Sequence, residues 1–213
     1  MLVAMTADNP EKHWNARYSE SSQIWSGKPN VELVDEVEGL TPGSALDLGC
    51  GEGADAIWLA QQGWQVTGVD ISSVALSRAA KHAVDAGVAD RIDWQQHDLG
   101  KSFPDGAFDL VSAQFLHSLA ELPREEILRR AAEVVAPGGI LLIEGHLGFP
   151  DVEKHAEHPN LHFPTPAEVI ADVGLDDGRW EILVSHEHER EQVIDGKPLT
   201  RRDCTVKARK LPV

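Results

Sequence analysis

The stretch ALDLGCGEGADAIWLAQQGWQVTGVDIS, residues 45–72, decides the fold of this chain. Two apolar runs flank a turn with three glycines (GCGEG, 49–53). One acidic side chain, Asp47, stands before the turn, and another, Asp70, closes the second run. Glycine permits a tight turn between a strand and a helix and lets a ligand approach the backbone closely. The amide groups at the start of such a helix are exposed to that ligand. The stretch therefore predicts a strand, a ligand-binding turn, a helix and a second strand.

The length and composition of the chain indicate one α/β domain with a small ligand. The 213 residues carry 35 acidic side chains against 19 basic ones, a net charge of -16. This charge repels phosphate backbones and anionic lipid headgroups, so we expect neither nucleic acid nor membrane as a partner. No apolar run approaches the roughly 20 residues of a membrane span. The N-terminus also lacks a signal-peptide pattern. We therefore expect a cytoplasmic protein with Cys50 and Cys204 reduced.

Short β-rich runs alternate with longer runs of helical periodicity, and this alternation predicts a parallel sheet. The predicted strands are SALDLGC from Ser44, QVTGVD ending at Asp70, RIDWQQHD ending at Asp98, FDLVSAQ from Phe108 and GILLIEGH from Gly139. The predicted crossover helices are GADAIWLAQQG, SSVALSRAAKHAVDAG and REEILRRAAEVVAPGG, the last of which stops at Pro137. Beyond Pro164 we expect a short helix, TPAEVIADVG, and a terminal hairpin of WEILVSHEHER and DCTVKARK. An open sheet of this kind binds its ligand at the carboxyl ends of the strands.

The position of Asp70 indicates a nucleoside cofactor. An acidic side chain at the end of the second strand can accept hydrogen bonds from both hydroxyls of an adenosine ribose. A nicotinamide dinucleotide is one such cofactor, because Gly49, Gly51 and Ala54 satisfy the G-x-G-x-x-A pattern of its sites. On that hypothesis the chain is an NAD(P)-dependent oxidoreductase.

Carboxylates at two other strand ends favour a different cofactor, S-adenosylmethionine. Asp47 would repel a pyrophosphate, but it can attract the ammonium group of S-adenosylmethionine through the polar network of the turn. Asp98 can accept a hydrogen bond from the adenine amino group. A third hypothesis is a module that binds this cofactor without catalysis, as a sensor or a partner-recognition domain. The sequence leaves all three hypotheses open.

The motifs LDLGCGEG, VDIS, HDL and FDLVSAQFLHSL, in this order, resemble those of the class I S-adenosylmethionine-dependent methyltransferases. The resemblance covers about residues 44–146. It implies an α/β fold with a doubly wound, seven-stranded, mostly parallel sheet whose last strand is antiparallel. It also implies a set of cofactor contacts at the strand ends. These are the loop of Gly49, Cys50, Gly51 and Gly53 around the methionine portion, Asp70 on the ribose, Ile71 on the adenine face, Asp98 and Leu99 at the adenine edge, and Gln114 near the reactive sulfur.

The flanking segments resemble a narrower branch, the tellurite-resistance and thiopurine-type small-molecule methyltransferases. The segment HWNARYSESSQIWSGKPN (13–30) is similar to the aromatic segment that precedes the fold in that branch. HFPTPAEVIADVG (162–174) and WEILVSHEHEREQVIDGK (180–197) are similar to its closing helix and hairpin. The resemblance implies a small-molecule acceptor. Tellurite-like oxyanions, thiols, phenols and amines are all compatible with it.

This resemblance also implies a division of the chain. We expect a single domain over residues 1–213, with N-terminal lid helices at 1–38, the cofactor-binding core at 44–146, and a substrate flap, helix and C-terminal hairpin at 147–213. Within the lid, Arg17 would lie near the methionine carboxylate. The lid aromatics that would exclude water are Trp14, Tyr18 or Trp25, and ordinary surface packing is the alternative for each of them.

Two histidines are candidate catalytic residues. Methyl transfer is an in-line displacement, so positioning the reactants suffices for a good nucleophile such as a thiolate. A phenol would gain from a general base. His117 follows the fourth predicted strand and His146 ends the fifth, where the acceptor should enter. The alternative is that each is a hydrogen-bonded structural residue.

The remaining histidines of interest fall late in the chain. They are His155, His158, His162, His186 and His188. Pro159 breaks any helix that would align the first three, and no cysteine completes a recognised metal pattern. We therefore expect no metal site and interpret these histidines as solvated loop residues. The long connection from Leu147 to Pro164 is expected to act as a substrate-gating flap.

Overall fold

The computed structural model describes residues 9–118, 120–148, 162–194 and 197–212. Its strands are β1 (Ser44–Leu48), β2 (Gln65–Asp70), β3 (Ile92–Gln96), β4 (Phe108–Gln114), β5 (Val135–His146), β6 (Trp180–Ile194) and β7 (Lys197–Lys210). Its helices are α1 (Pro10–Ser19), α2 (Val31–Val37), α3 (Ala54–Gln61), α4 (Ser73–Asp85), α5 (Arg124–Glu133) and α6 (Pro166–Val173). Most of the predicted flap, with His155 and His158, lies outside the described residues.

The strands form one seven-stranded sheet in the order β3-β2-β1-β4-β5-β7-β6. Neighbours from β3 to β5 run parallel, whereas β7 is antiparallel to both β5 and β6. The doubly wound, mostly parallel α/β sheet with an antiparallel last strand is thus confirmed. The strand order changes direction between β1 and β4, so the carboxyl ends of these two strands border the switch point of the fold.

Helix α5, strand β5 and the hairpin differ most from their predicted bounds. Helix α5 ends at Glu133, and β5 begins at Val135, which already pairs with Phe108 before an irregularity in the ladder. The hairpin is longer than predicted, and β6 contains a register shift between Ile182 and Val184. Such a bulge changes which side chains face each side of the sheet.

Local signals in the sequence explain where several helices begin. The Asn9 side chain accepts a hydrogen bond from the Lys12 amide at 3.0 Å, and Ser72 accepts one from the Ala75 amide at 3.2 Å. Thr165 forms a reciprocal capping box at the start of α6. These contacts satisfy amides that the first helical turn leaves unpaired. None of the helices that the structure describes has both the length and the apolarity needed to cross a bilayer.

Helices cover both faces of the sheet and bury its alternating side chains. Members of α5 and α6 pack with Leu48, Val111 and Leu141 on one face. Members of α2 and α3 pack with Leu110 and Leu142 on the other. Because both faces are buried, the carboxyl edge of the parallel strands is left as the accessible place for a ligand.

Candidate active site

The turn between β1 and α3 requires glycine at its three positions. Gly49, Gly51 and Gly53 have φ angles of 71°, 53° and 86°, which side chains disfavour. The space for a side chain at these positions is restricted as well. A Cβ atom at Gly51 would lie 2.8 Å from the Tyr18 hydroxyl, and one at Gly49 would lie 2.8 Å from Leu116. A side chain at either position would therefore have to displace a neighbour.

A cavity of about 430 Å³ lies beside this turn, at the carboxyl ends of the strands. Its volume is typical of a small-molecule site. The predicted site residues that line it are Asp47, Gly49, Cys50, Gly51, Asp70, Ile71, Asp98, Leu99, Gln114, His117 and His146. The aromatic residues predicted for the lid that line it are Trp14, Tyr18 and Trp25. One cavity therefore brings together residues from the N-terminal segment and from β1 through β5.

Asp70 is fixed by two backbone amides at the end of β2. Its Oδ2 accepts from the Gly51 amide at 2.9 Å, and its Oδ1 accepts from the Ser72 amide at 2.8 Å. Burial raises the pKa of Asp70, and these hydrogen bonds oppose the rise. Each carboxylate oxygen has two lone pairs, so both retain an acceptor position for a ligand hydroxyl.

Asp47 and Gln114 bring unpaired acceptors to the same cavity. Asp47 is buried, and its Oδ2 has no hydrogen-bond partner among the described residues. Burial raises the pKa of Asp47 well above its usual range, with further contributions from Asp55 and Asp70. Gln114 donates from Nε2 to Ser112 at 3.0 Å, but its Oε1 also lacks a partner within the described ranges. A ligand that carries donors or positive charge would satisfy both oxygens.

The N-terminal segment is held to the glycine turn by Glu52. The amides of Ile24 and Trp25 donate to Glu52 Oε2 at 3.0 and 3.1 Å, and Arg78 donates to Oε1 at 2.8 Å. Burial alone would raise the pKa of Glu52, but the Arg78 guanidinium and the two amides lower it overall. Trp25 Nε1 donates to the Tyr18 hydroxyl at 3.0 Å. Two aromatic side chains of the segment thus meet at the wall of the cavity.

Two predicted cofactor residues occupy other places. Arg17 lies on the exposed side of α1, where it forms an ion pair with Glu20, and it does not line the cavity. Lys28 is a basic residue of the same segment that does line it. Gly53 is also outside the cavity lining. Its backbone instead packs closely on its neighbours, since a Cβ atom there would lie 2.7 Å from Trp94 and 2.9 Å from the Ala79 Cβ. Its position serves the packing of α3 on its neighbours.

His146 forms a hydrogen-bonded pair with a buried aspartate of the hairpin. His146 Nδ1 lies 2.7 Å from Asp203 Oδ1, and Arg190 donates from Nε to Asp203 Oδ2 at 2.8 Å. Burial lowers the pKa of His146, and the bond to Asp203 partly opposes this. A carboxylate that accepts from Nδ1 holds the imidazole in the tautomer whose Nε2 accepts a proton.

His117 has a different role in the same wall. The His146 amide donates to His117 Nε2 at 3.0 Å, so this nitrogen is already used as an acceptor. Burial and the nearby Arg124 lower the pKa of His117 to about 3. His117 is therefore neutral, and it supports the backbone of His146.

Comparisons with known proteins agree with this geometry. A family model described as "Methyltransferase domain" matches residues 45–139. The 27-O-demethylrifamycin SV methyltransferase of Amycolatopsis mediterranei is 36% identical over 157 residues, 69% of this chain and 56% of that protein. Residues 45–139 thus form a methyltransferase domain of the class I S-adenosylmethionine-dependent kind. The nicotinamide and non-catalytic hypotheses are accordingly not favoured.

Solved structures show the same fold over nearly the whole methyltransferase chain. One, described as "Conversion of a Disulfide Bond into a Thioacetal Group during Echinomycin Biosynthesis", has a TM-score of 0.69 and 27% identity. It covers 94% of this chain and 93% of its own. TehB from Haemophilus influenzae has a TM-score of 0.66 at 19% identity, covering 94% of this chain and 66% of its own, which shows the fold alone. The chain spans just over half the length, 56% and 54%, of the first curated relatives it matches.

The residues of the cavity fit S-adenosylmethionine, the cofactor that these comparisons indicate. Its ammonium and sulfonium groups are cationic, and the cavity offers oxygens of Asp47 and Gln114 that have no partner among the described residues. Its ribose hydroxyls match the acceptor positions left on Asp70. Three carboxylates at one strand edge would be unfavourable for a diphosphate.

Sequence reasoning missed the hairpin wall of the methyltransferase site. Arg190, Gln192 and Arg201 line the cavity, and Arg190 pairs with Arg201 across the ladder. Gln192 Oε1 and Arg201 Nε have no hydrogen-bond partner among the described residues. No local motif marks these side chains, since their position depends on strand pairing over a long stretch of chain. Glu52 was missed too, although it stands inside the glycine motif.

Proposed function

We propose that this protein transfers the methyl group of S-adenosylmethionine to a small-molecule acceptor. The observation that carries the proposal is the single cavity that connects Asp47 and Asp70 with the His146–Asp203 pair. The residues proposed for cofactor binding and the histidine proposed for proton transfer line the same cavity. The methyltransferase of 27-O-demethylrifamycin SV supports a small acceptor, and so does the acidic surface of this chain, which disfavours nucleic acid.

The cofactor end is proposed to act through fixed acceptors. Asp70 would accept from the ribose hydroxyls, Asp47 would attract the ammonium group, and Gln114 would face the methionine portion. Ile71, Leu99 and Asp98 would hold the adenine. When bound, the cofactor supplies an electrophilic methyl group on a cationic sulfur. The protein residues supply position, which can account for roughly 7–11 kcal/mol of the barrier.

The acceptor end is proposed to use His146 as a general base. Asp203 holds Nδ1, so Nε2 is available to take a proton from a hydroxyl acceptor as it attacks. His117 holds the His146 backbone rather than contacting the acceptor. Arg190 and Arg201 offer donors to oxygen atoms elsewhere on the acceptor. This division gives the two candidate histidines different tasks.

The N-terminal segment is proposed to act as the lid over the cofactor. Trp14, Tyr18 and Trp25 line the cavity, and Glu52 ties this segment to the glycine turn. Water would be excluded when these rings cover the bound cofactor. The assignment to the tellurite-resistance and thiopurine-type branch also remains a proposal, since the likeness to TehB supports the fold alone.

Calorimetry and an activity assay test the proposed function. We expect the protein to bind S-adenosylhomocysteine with a saturable isotherm and to show no binding of NAD. With methyl-labelled S-adenosylmethionine, we expect label to reach at least one member of a panel of phenols, hydroquinones and thiols. Binding of NAD in place of S-adenosylhomocysteine would overturn the cofactor assignment. Binding without transfer to any acceptor would instead support the non-catalytic module.

A further inference from the structure

A cluster of possible metal ligands lies outside the residues that line the cavity. Glu32 of α2 and His186 and His188 of β6 each offer one ligand atom, and these atoms all lie within 4.8 Å of one another. The two imidazole rings have centroids 5.4 Å apart. The three residues are far apart in the sequence, and pairing of the hairpin with the sheet beneath α2 brings them together.

The spacing between the first two ligand atoms suits a tetrahedral metal ion. His188 Nδ1 lies 3.6 Å from Glu32 Oε1. Two ligands bound at about 2.0–2.1 Å to tetrahedral zinc are separated by about 3.4 Å. The His186 side chain is exposed, and its ligand atom lies within 4.8 Å of the other two. Two imidazole nitrogens and one carboxylate oxygen form a known zinc donor set, with water in the fourth position.

A buried carboxylate orients the central ligand. His188 Nε2 lies 2.9 Å from Glu144 Oε1, and Thr205 donates to Glu144 Oε2 at 2.6 Å. Glu144 has 0% exposure. When Nε2 donates its proton to Glu144, the lone pair of Nδ1 points toward Glu32. Metal-binding histidines usually have such a carboxylate behind them, because it fixes the tautomer and makes the imidazole more basic.

The charges around the cluster also favour a cation. Glu32 and Glu144 flank His188 on both sides, and burial raises the pKa of Glu144 to about 8, which reduces its negative charge near neutral pH. The nearby basic side chains Arg190 and Lys207 have other partners, Asp203 and Glu36. A divalent ion beside Glu32 and His188 would bring positive charge to this group of acidic side chains.

We propose that Glu32, His186 and His188 form a binding site for a divalent transition metal of the zinc class, with Glu144 positioning His188. The ion would join α2 to β6. Both elements adjoin the cavity, since Asn30 precedes α2 and Arg190 follows His188, and both residues line it. A bound ion would therefore stabilise the part of the cavity wall that Asn30 and Arg190 form. This proposal does not depend on the acceptor or on the catalytic role of His146.

Metal titration of the full chain tests the site. After treatment with a chelator, the protein is titrated with zinc chloride by calorimetry and with cobalt chloride by visible absorption. We expect one ion per chain, a rise in melting temperature, and the absorption bands of tetrahedral cobalt. His186→Ala and Glu32→Gln should each weaken zinc binding by about tenfold or more. Because His186 is exposed and Glu32 is only partly buried, both variants should fold.

Two controls separate this site from other histidines. His162→Ala removes an imidazole that faces Glu168 on another element, and it should leave zinc affinity unchanged. The double variant His155→Ala/His158→Ala, at residues outside the described ranges, should also keep the wild-type affinity. If zinc does not bind, or if His186→Ala binds it as tightly as wild type, the proposal fails and His188 serves only to pair with Glu32 and Glu144. Loss of binding in the double variant alone would likewise reject it.

Discussion

At the scale of single residues, the cofactor end of the site follows from local sequence, whereas the acceptor end does not. Asp47 and Asp70 close neighbouring parallel strands, so their proximity follows from strand order alone. Asp203 contacts His146 through an antiparallel strand from a distant part of the chain. No spacing in the sequence specifies that contact. Arg17 was predicted from resemblance, but the helix it lies on turns its side chain toward Glu20.

Replacement of Asp70 tests the cofactor end. We expect Asp70→Ala to weaken binding of S-adenosylhomocysteine by about 1.5–3 kcal/mol, the value of a hydrogen bond to a charged group. Calorimetry measures this change. Asp93→Asn, an exposed change on the adjacent strand β3, is the matched control and should leave affinity unchanged. Wild-type affinity in Asp70→Ala would remove this residue from the site.

Replacement of His146 tests the acceptor end. We expect His146→Gln to lower kcat about 100-fold or more for phenolic acceptors, because a general base contributes roughly 10²–10⁴-fold. A thiol acceptor that is ionised at the assay pH should react at nearly the wild-type rate. Affinity for S-adenosylhomocysteine should not change. Equal losses for phenols and thiols would show that His146 positions the acceptor and is not its base.

The pH profile of the wild-type enzyme gives a separate check on His146. The base acts in its neutral form, and burial lowers the pKa of His146 below its usual 6.5. Activity on phenols should therefore persist as the pH falls through 6.5 and decline only at lower pH. An acid limb in kcat/KM at or above pH 6.5 would contradict this assignment.

At the scale of elements, close packing explains why glycine is needed at position 53, although Gly53 does not line the cavity. The start of α3 lies against Trp94 of β3 and Ala79 of α4, and only a residue without a side chain fits there. Sequence patterns predicted the helices and the parallel strands because both faces of the sheet are buried. The same patterns predicted only parts of the two hairpin strands. The register shift between Ile182 and Val184 changes the inward face partway along β6, so alternation alone does not place His188 or Arg190.

Two glycines provide a matched test of this packing. Gly53 and Gly87 both have positive φ angles, 86° and 70°, but a Cβ atom at Gly87 has no neighbour within 4 Å. Each change to alanine carries the cost of that backbone conformation, about 1–2 kcal/mol. Gly53→Ala should lose roughly a further 1–3 kcal/mol of unfolding free energy through overpacking. Urea denaturation measures both, and equal losses would exclude a packing role for Gly53.

At the scale of the whole molecule, the cavity is lined by two parts of the chain that are held in place by different contacts. The turn, β1 and β2 are held by the sheet, whereas residues 20–30 are held by side-chain contacts to Glu52 and Arg78. A segment with so few buried apolar contacts opens more readily than the sheet. Ligand contacts from Trp14 and Trp25 would stabilise its closed position.

Hydrogen exchange tests this coupling between cofactor and lid. We expect S-adenosylhomocysteine to slow amide exchange at Ile24 and Trp25 more than at the strands of the core. Glu52→Gln should reduce that protection, because a neutral side chain holds the two amides and Arg78 less strongly. Lys28→Ala, a change on the same segment, should leave the bonds to Glu52 in place. Protection confined to the core would show that the segment does not close over the cofactor.

The place of β7 inside the sheet has a consequence for how the protein is made. This strand follows the other described strands in chain order, yet it lies between β5 and β6. A nascent chain that has emerged only through β6 has the long apolar edge of β5 unpaired, a template for contact with other chains. Until β7 arrives, that chain also lacks the aspartate behind His146. Chains synthesised only through β6 would therefore hold a nearly complete nucleoside pocket while the edge of β5 is still unpaired.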